Sequence, residues 1–129
     1  MIGLSSELTD GLKLDKKNTK DMVKLAARIA DSKGADYINI LEMKKRLIIT
    51  DYFLIIGTKN TRLSTNLNDE IKLRLKTLGL IPINTTGSAE ANWILIDYND
   101  FVIHIFTEEF RQYYDLERLW KDSKNINWK

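Results

Sequence analysis

The 129-residue chain contains no cysteine, one proline and one histidine, and each scarcity removes a class of chemistry. Without cysteine there is no disulfide, no thiolate metal site and no cysteine nucleophile, and nothing in the sequence needs an oxidising compartment to fold. With His104 as the sole imidazole, a zinc site would have to be completed by carboxylates, an uncommon ligand set. Nowhere do about 18 apolar residues run together, so no transmembrane helix is predicted. The N-terminal stretch lacks both the apolar core of a signal peptide and the Arg-rich pattern of a transit peptide, which favours a cytoplasmic protein. The phosphate-binding fingerprints GxxxxGK[ST] and GxGxxG are also absent. Gly57-Thr58, between an apolar run and a helical pattern, is a place where helix amides could hold an anion, but nothing around it extends the signal.

What is present suits one core. Hydrophobic residues make up 43 % of the chain, enough for a single domain of this length but not for two. The net charge of +2 gives no case for wrapping nucleic acid, yet its distribution is uneven. Residues 1–87 hold 15 Lys/Arg against 10 Asp/Glu, whereas residues 88–122 hold 3 against 8. An acidic C-terminal third disfavours phosphate and favours a basic partner, unless both charge sets are merely solvated surface.

Residues 1–18 read as a flexible N-terminal arm. From Thr19, Met22, Val23, Leu25, Ala26, Ile29 and Ala30 recur at helical spacing, with Asn18 or Thr19 placed to cap and Gly34 to terminate. Tyr37–Met43 alternates as a strand, Lys44-Lys45-Arg46 is a charged connection, and Leu47, Ile48 and Ile49 are apolar beyond it. Asp51–Ile56 is a nearly continuous apolar run, the pattern of a central strand. Leu63, Leu67, Ile71, Leu75 and Leu78 then mark a helix stopped by Gly79, and Leu80–Ile83 completes a βαβ-like unit. Trp93–Asp97 and Phe101–Phe106 flank the turn-rich Tyr98-Asn99-Asp100 as a hairpin, and Glu108–Trp120 reads as a final helix with a broad aromatic face. Residues 19–122 form the predicted domain, of mixed α/β (α+β) class, and residues 123–129 a C-terminal tail.

Catalytic constellations are weak. Ser64, His104 and Asp97 can be written down as a triad, but no nucleophile elbow accompanies them. Asp97 and Asp100 are better placed to cap a hairpin than to hold magnesium. His104, between Ile103 and Ile105, reads as a structural or interface histidine. Trp93, Tyr98, Tyr113, Tyr114 and Trp120 fall among carboxylates, a composition suited to a protein–protein surface, although Trp120 also fits a core.

Four segments carry a resemblance to a known family: Ala35–Ile38, Thr50–Thr58, Trp93–Phe106 and Arg111–Trp120. In this order and spacing, over roughly residues 20–122, they resemble the ribosomal silencing factor family of the RsfS/Iojap type. Its W-x₃-D-x₂-D-x₃-H-x-F and R-x₂-Y-x-L-E-x-L-W signatures stand at Trp93–Phe106 and Arg111–Trp120. The resemblance implies a five-stranded mixed sheet flanked by helices, related to the nucleotidyltransferase fold but without its catalytic residues, and no cofactor. It implies binding to ribosomal protein number fourteen of the large (50S) subunit and steric blocking of small-subunit joining when nutrients are scarce. Carried onto this chain, the binding residues are Trp93, Asp97, Tyr98 and Asp100, with His104 and Arg111 nearby. Trp93 and Tyr98 would be apolar anchors, and the two aspartates would meet Lys or Arg. The resemblance also leaves room for a homodimer when the protein is free. Thr86 stands where the family usually has an acidic residue before the glycine at Gly87. The competing readings are an RNA-binding large-subunit assembly factor using Lys44, Lys45, Arg46, Arg62, Lys72 and Arg74, and a nucleotidyltransferase-like enzyme.

Overall fold

The computed structural model describes residues 18–43, 50–88 and 90–129. The expected N-terminal arm up to residue 17, the charged connection Lys44–Arg46 and the apolar stretch 47–49 lie outside the described residues. Helix α1, Thr19–Ser32, begins at Asn18, whose side-chain oxygen accepts from the Asp21 N–H at 3.2 Å. Its apolar stripe is fully buried, as the spacing predicts, and Gly34 at φ +91° turns the chain out of it. Strands β1 (Tyr37–Glu42) and β2 (Tyr52–Thr58) follow, then helix α2 (Thr61–Lys76), capped by Asn60. Next come β3 (Asn84–Ser88), β4 (Trp93–Asp97), β5 (Phe101–Thr107), helix α3 (Glu108–Tyr113), a 3₁₀ turn (Leu116–Leu119) and β6 (Asn125–Ile126).

The strands form one mixed sheet in the order β3-β4-β5-β2-β1-β6. β2 and β5 pair in parallel at its middle, and every other neighbouring pair is antiparallel. Two antiparallel steps separate β3 from β5, so β3 runs parallel to β2, and β2–α2–β3 is a crossover that skips two strands. The apolar run predicted to be central is therefore central. Helices α1 and α2 cover one face of the sheet, where Leu54, Ile56, Ile103 and Ile105 meet Leu25, Ile29, Leu67 and Ile71. A smaller cluster on the opposite face gathers Leu41, Ile55, Phe106 and Leu116.

Three expectations need correction. The sheet has six strands, not five, and Leu80–Ile83 is not one of them. Ile81 and Ile83 are 68 % and 67 % exposed, and the edge strand is the polar run Asn84–Ser88 immediately after. That strand is held by backbone pairing to β4 and not by burial, so hydrophobicity does not mark it. Residues 123–129 are not a tail. β6 pairs with Ile40 and Leu41 of β1, Trp128 packs on the core, and its carbonyl accepts from Arg28 Nε at 3.3 Å. Finally, the last helix stops at Tyr113, because Asp115 takes a left-handed φ of 49° and the chain re-forms only a 3₁₀ turn beyond it.

The approach of β3 to β4 depends on Gly87. Its φ is +80°, and a Cβ there would collide with the Trp93 carbonyl oxygen, a backbone atom that cannot step aside. Gly87→Ala is expected to lower the free energy of urea unfolding by about 3 kcal/mol, from left-handed strain plus overpacking. An unchanged unfolding midpoint contradicts this account of the β3–β4 edge.

Candidate partner-binding face

Alternation along each strand sorts the site residues. In the observed register, the face opposite α1 and α2 carries three rows of side chains. Ser88, Trp93, Phe106, Gly57 and Tyr37 form the first, and Thr86, Leu95, His104, Ile55 and Asn39 the second. Asn84, Asp97, Val102, Phe53 and Leu41 form the third. Phe110, Leu116 and Trp120 of the C-terminal segment pack on this face. Trp93, Leu95, Asp97, Val102 and His104, on β4 and β5, are left half-buried.

Trp93 and His104 are coupled. The indole Nε1–H donates to His104 Nδ1 at 3.4 Å, and the two rings lie nearly parallel with centroids 6.5 Å apart. Phe53 meets the imidazole edge-on at 4.7 Å, and Phe106 stacks beside it at 5.8 Å. Burial pushes the imidazole pKa down to about 4. His104 is therefore neutral at neutral pH, with Nδ1 accepting and the proton on Nε2, which has no hydrogen-bond partner. The ring contacts continue outward: Trp93 stacks with Phe106 and Phe106 with Phe110, and Phe110 meets Tyr114 at a tilt, which in turn meets Tyr113. Beside this ladder, a mostly apolar cavity of about 330 Å³ lies between Phe53, Ile55, His104, Leu116 and Trp120.

The other predicted site residues divide. Asp97 shares the face of Trp93, and its Oδ1 accepts from the Asn99 N–H at 2.7 Å, the hairpin-capping role expected of it. Asp100 is exposed in the same turn. Tyr98 is a correction: it is 7 % exposed, stacked on Phe101 in the helix-side core, and burial pushes its hydroxyl pKa up to about 12. It cannot act as an outward anchor beside Trp93. The two stand five positions apart, and an odd offset along alternating backbone sends them to opposite faces.

Arg111 stands on the β1–β2 side of the first row: its guanidinium sits 4.3 Å above the Tyr37 ring and beside Gly57, whose neighbour across the sheet is the Phe106 that stacks on Trp93. Gly57 makes room there, because a Cβ would come within 2.8 Å of Tyr37 Cβ and 3.5 Å of Arg111 Nε. Tyr37 in turn accepts from the Trp120 indole N–H at 3.2 Å, so Arg111 and Trp120 of the second signature both fasten the C-terminal segment to the sheet.

The structure also separates the letters of the triad. Ser64 is 1 % exposed and hydrogen-bonds Thr58 Oγ1 at 2.7 Å beneath α2, on the other side of the sheet from His104. Among the described residues no group of three or more His, Cys, Asp or Glu side chains could hold a metal ion, and no helix is long and apolar enough to cross a membrane. Sequence reasoning missed Phe53, Phe106 and Tyr37 as parts of the face. Their signal was register: each stands across the sheet from a residue that was singled out.

The chain is similar to known proteins in sequence and in fold. Residues 16–129 match the family described as "Ribosomal silencing factor during starvation". Ribosomal silencing factor RsfS of Bacillus subtilis is 36 % identical over 106 residues, covering 82 % of this chain and 90 % of that protein. The mouse protein named "Mitochondrial assembly of ribosomal large subunit protein 1" is 29 % identical over 86 residues, 64 % of this chain and 38 % of its own length. A crystal structure from Bacillus halodurans superposes with a TM-score of 0.73 at 29 % identity, covering 84 % of this chain and 99 % of that one.

The buried imidazole predicts an acid-sensitive stability. The folded pKa of about 4 lies below the ordinary 6.5, so the unfolded chain takes up the proton first as pH falls. The neutral ring's contribution is complete above about pH 6.5 and is lost as pH falls toward 4, by up to about 3 kcal/mol. Urea unfolding of the unaltered chain and of His104→Phe across this range should show the acid-dependent loss in the former and a smaller one in the latter. Equal pH profiles contradict a buried neutral imidazole.

Proposed function

The chain belongs to the ribosomal silencing factor family, and from that premise we propose that it binds ribosomal protein number fourteen of the large (50S) ribosomal subunit and sterically blocks joining of the small subunit. It acts in the cytoplasm and lowers translation when nutrients are limiting. The observation that carries this reading is the open end of the sheet face. There Trp93 is held by His104 against the sheet, half-exposed, with Asp97 further along the same face beyond Leu95 and Asp100 at the turn. A large aromatic fixed in orientation loses little conformational freedom on binding, and such residues dominate interface energies. The aspartates favour a basic protein over phosphate. Binding of this kind needs no bond-making step. The protein works by occupying a surface that the small subunit requires.

A second reading, an assembly factor that touches ribosomal RNA, is favoured by the name of the mouse relative. Against it, Arg74, one of the basic residues it needs, is paired with Glu70, which also meets Lys33 at 3.9 Å. Salt separates the two, because an RNA-dominated complex loses affinity steeply as salt rises.

Sedimentation of the purified protein with separated subunits, following co-migration and 70S formation, tests the proposal. The unaltered chain should travel with the large subunit and suppress 70S. Trp93→Ala should weaken binding by about 2 kcal/mol or more, roughly 30-fold. Asp100→Lys should weaken it without disturbing the hairpin, since Asp97 supplies the turn's side-chain hydrogen bond. Unimpaired binding by both variants would sink the assignment of this face.

A further inference from the structure

Where the aromatic ladder ends, the turn carrying Ala91 and Asn92 faces α3 across a cavity of about 310 Å³, lined also by Glu109, Phe110, Tyr113 and Tyr114. Its chemistry differs from that of the sheet face. Tyr113 and Tyr114 are 80 % and 55 % exposed, yet their rings meet edge to face with centroids 4.8 Å apart, and Tyr114 leans on Phe110 at 4.6 Å. One wall is fixed as well: Asn92 holds a left-handed φ of 65°, and its Oδ1 accepts from the Thr107 hydroxyl at 3.1 Å. Of the two carboxylates that begin α3, Glu108 accepts from Gln112 at 3.2 Å, whereas Glu109 is exposed and has no side-chain partner among the described residues.

We propose that this cavity receives a lysine or arginine side chain of a basic protein. The identity of that protein as a component of the large subunit rests on the function proposed above. The alkyl stem of such a side chain lies against Phe110 and the tyrosine rings, and its cation reaches a ring face and the Glu109 carboxylate together, the pairing of π surface and opposite charge that cations prefer. A fatty or purely aromatic group would gain nothing from the Glu109 carboxylate, which would stay with water. Phosphate would be repelled by it and by the surplus of five negative charges over residues 88–122.

The experiment measures large-subunit affinity for the unaltered chain, Glu109→Gln, Tyr113→Ala and the double variant, beside Trp93→Ala, with thermal unfolding as a fold control. Glu109 and Tyr113 are exposed, so both single variants should unfold like the unaltered chain. Each should bind about tenfold more weakly, and the double variant should lose less than the product of the two, as groups sharing one ligand do. If Glu109→Gln and Tyr113→Ala bind normally while Trp93→Ala is impaired, the cavity proposal falls and the proposed function stands. The opposite pattern keeps the cavity and moves the main contact away from Trp93. Tighter binding by Glu109→Gln would mean a phosphate partner and would overturn the proposal. So would variants that change only the self-association of the free chain, the mark of a second copy in the cavity. Failure of the unaltered chain to bind large subunits removes both readings.

Discussion

The parallel pairing of β2 with β5 is the constraint on which the rest depends. It joins Tyr52–Thr58 to Phe101–Thr107 without a break, two segments far apart in the chain. Both strands are buried on the helix side by isoleucine and leucine, which fixes their register, because a slip by one residue would turn Ile103 and Ile105 outward and drive His104 into the core. Once that register is set, His104 stands beside Ile55 and Phe106 beside Gly57. The hairpin then brings Trp93 onto Phe106 and His104. The ends of the pair are tied off by hydroxyls: Thr58 meets Ser64 at the start of α2, and Thr107 accepts from the Phe110 N–H to start α3.

The two faces of the sheet do different work. Both long helices lie on one side, and their closely packed contacts supply most of the burial. The other side is covered only by the short C-terminal segment, which breaks at Asp115 and is pinned over β1 by the contact of Arg111 with Tyr37 and the Trp120 hydrogen bond. This leaves β4 and β5 with aromatic and aliphatic groups half in solvent. A half-covered face of this kind is a cost to an isolated domain and an asset to one that binds a partner.

Much of this was legible in the sequence, for physical reasons that differ by element. Helix α1, helix α2 and the central strand are written in strong apolar periodicity with caps, because burial alone determines them. The hairpin was legible from its turn residues. β3 was not, since it is a polar edge strand held by backbone pairing, which side-chain pattern does not record, and β6 was not because two residues with one buried Ile126 are too short to show a period. The end of α3 was hidden because aspartate enters the left-handed region only occasionally, so Asp115 is a weak stop signal inside an otherwise continuous helical pattern. Within the candidate site, Trp93, Asp97 and His104 converge because strand parity and hairpin register bring them onto one face. Tyr98 stands one residue past β4, and continuing that strand's alternation turns it to the helix side, while the place of Arg111 over Tyr37 and beside Gly57 follows from strand order, which side-chain pattern does not record.

On the proposed function, the protein meets the large subunit with the β4–β5 face and its aromatic extension onto α3, not with α1 and α2. Oxidative footprinting of side chains, free and bound to purified large subunits, tests it most directly. The account predicts that Trp93, Tyr113 and Tyr114 lose reactivity on binding, while Leu73, Ile81 and Ile83, which are exposed on α2 and the segment after it, keep theirs. Protection of Leu73, Ile81 and Ile83 with Trp93 unchanged would contradict it.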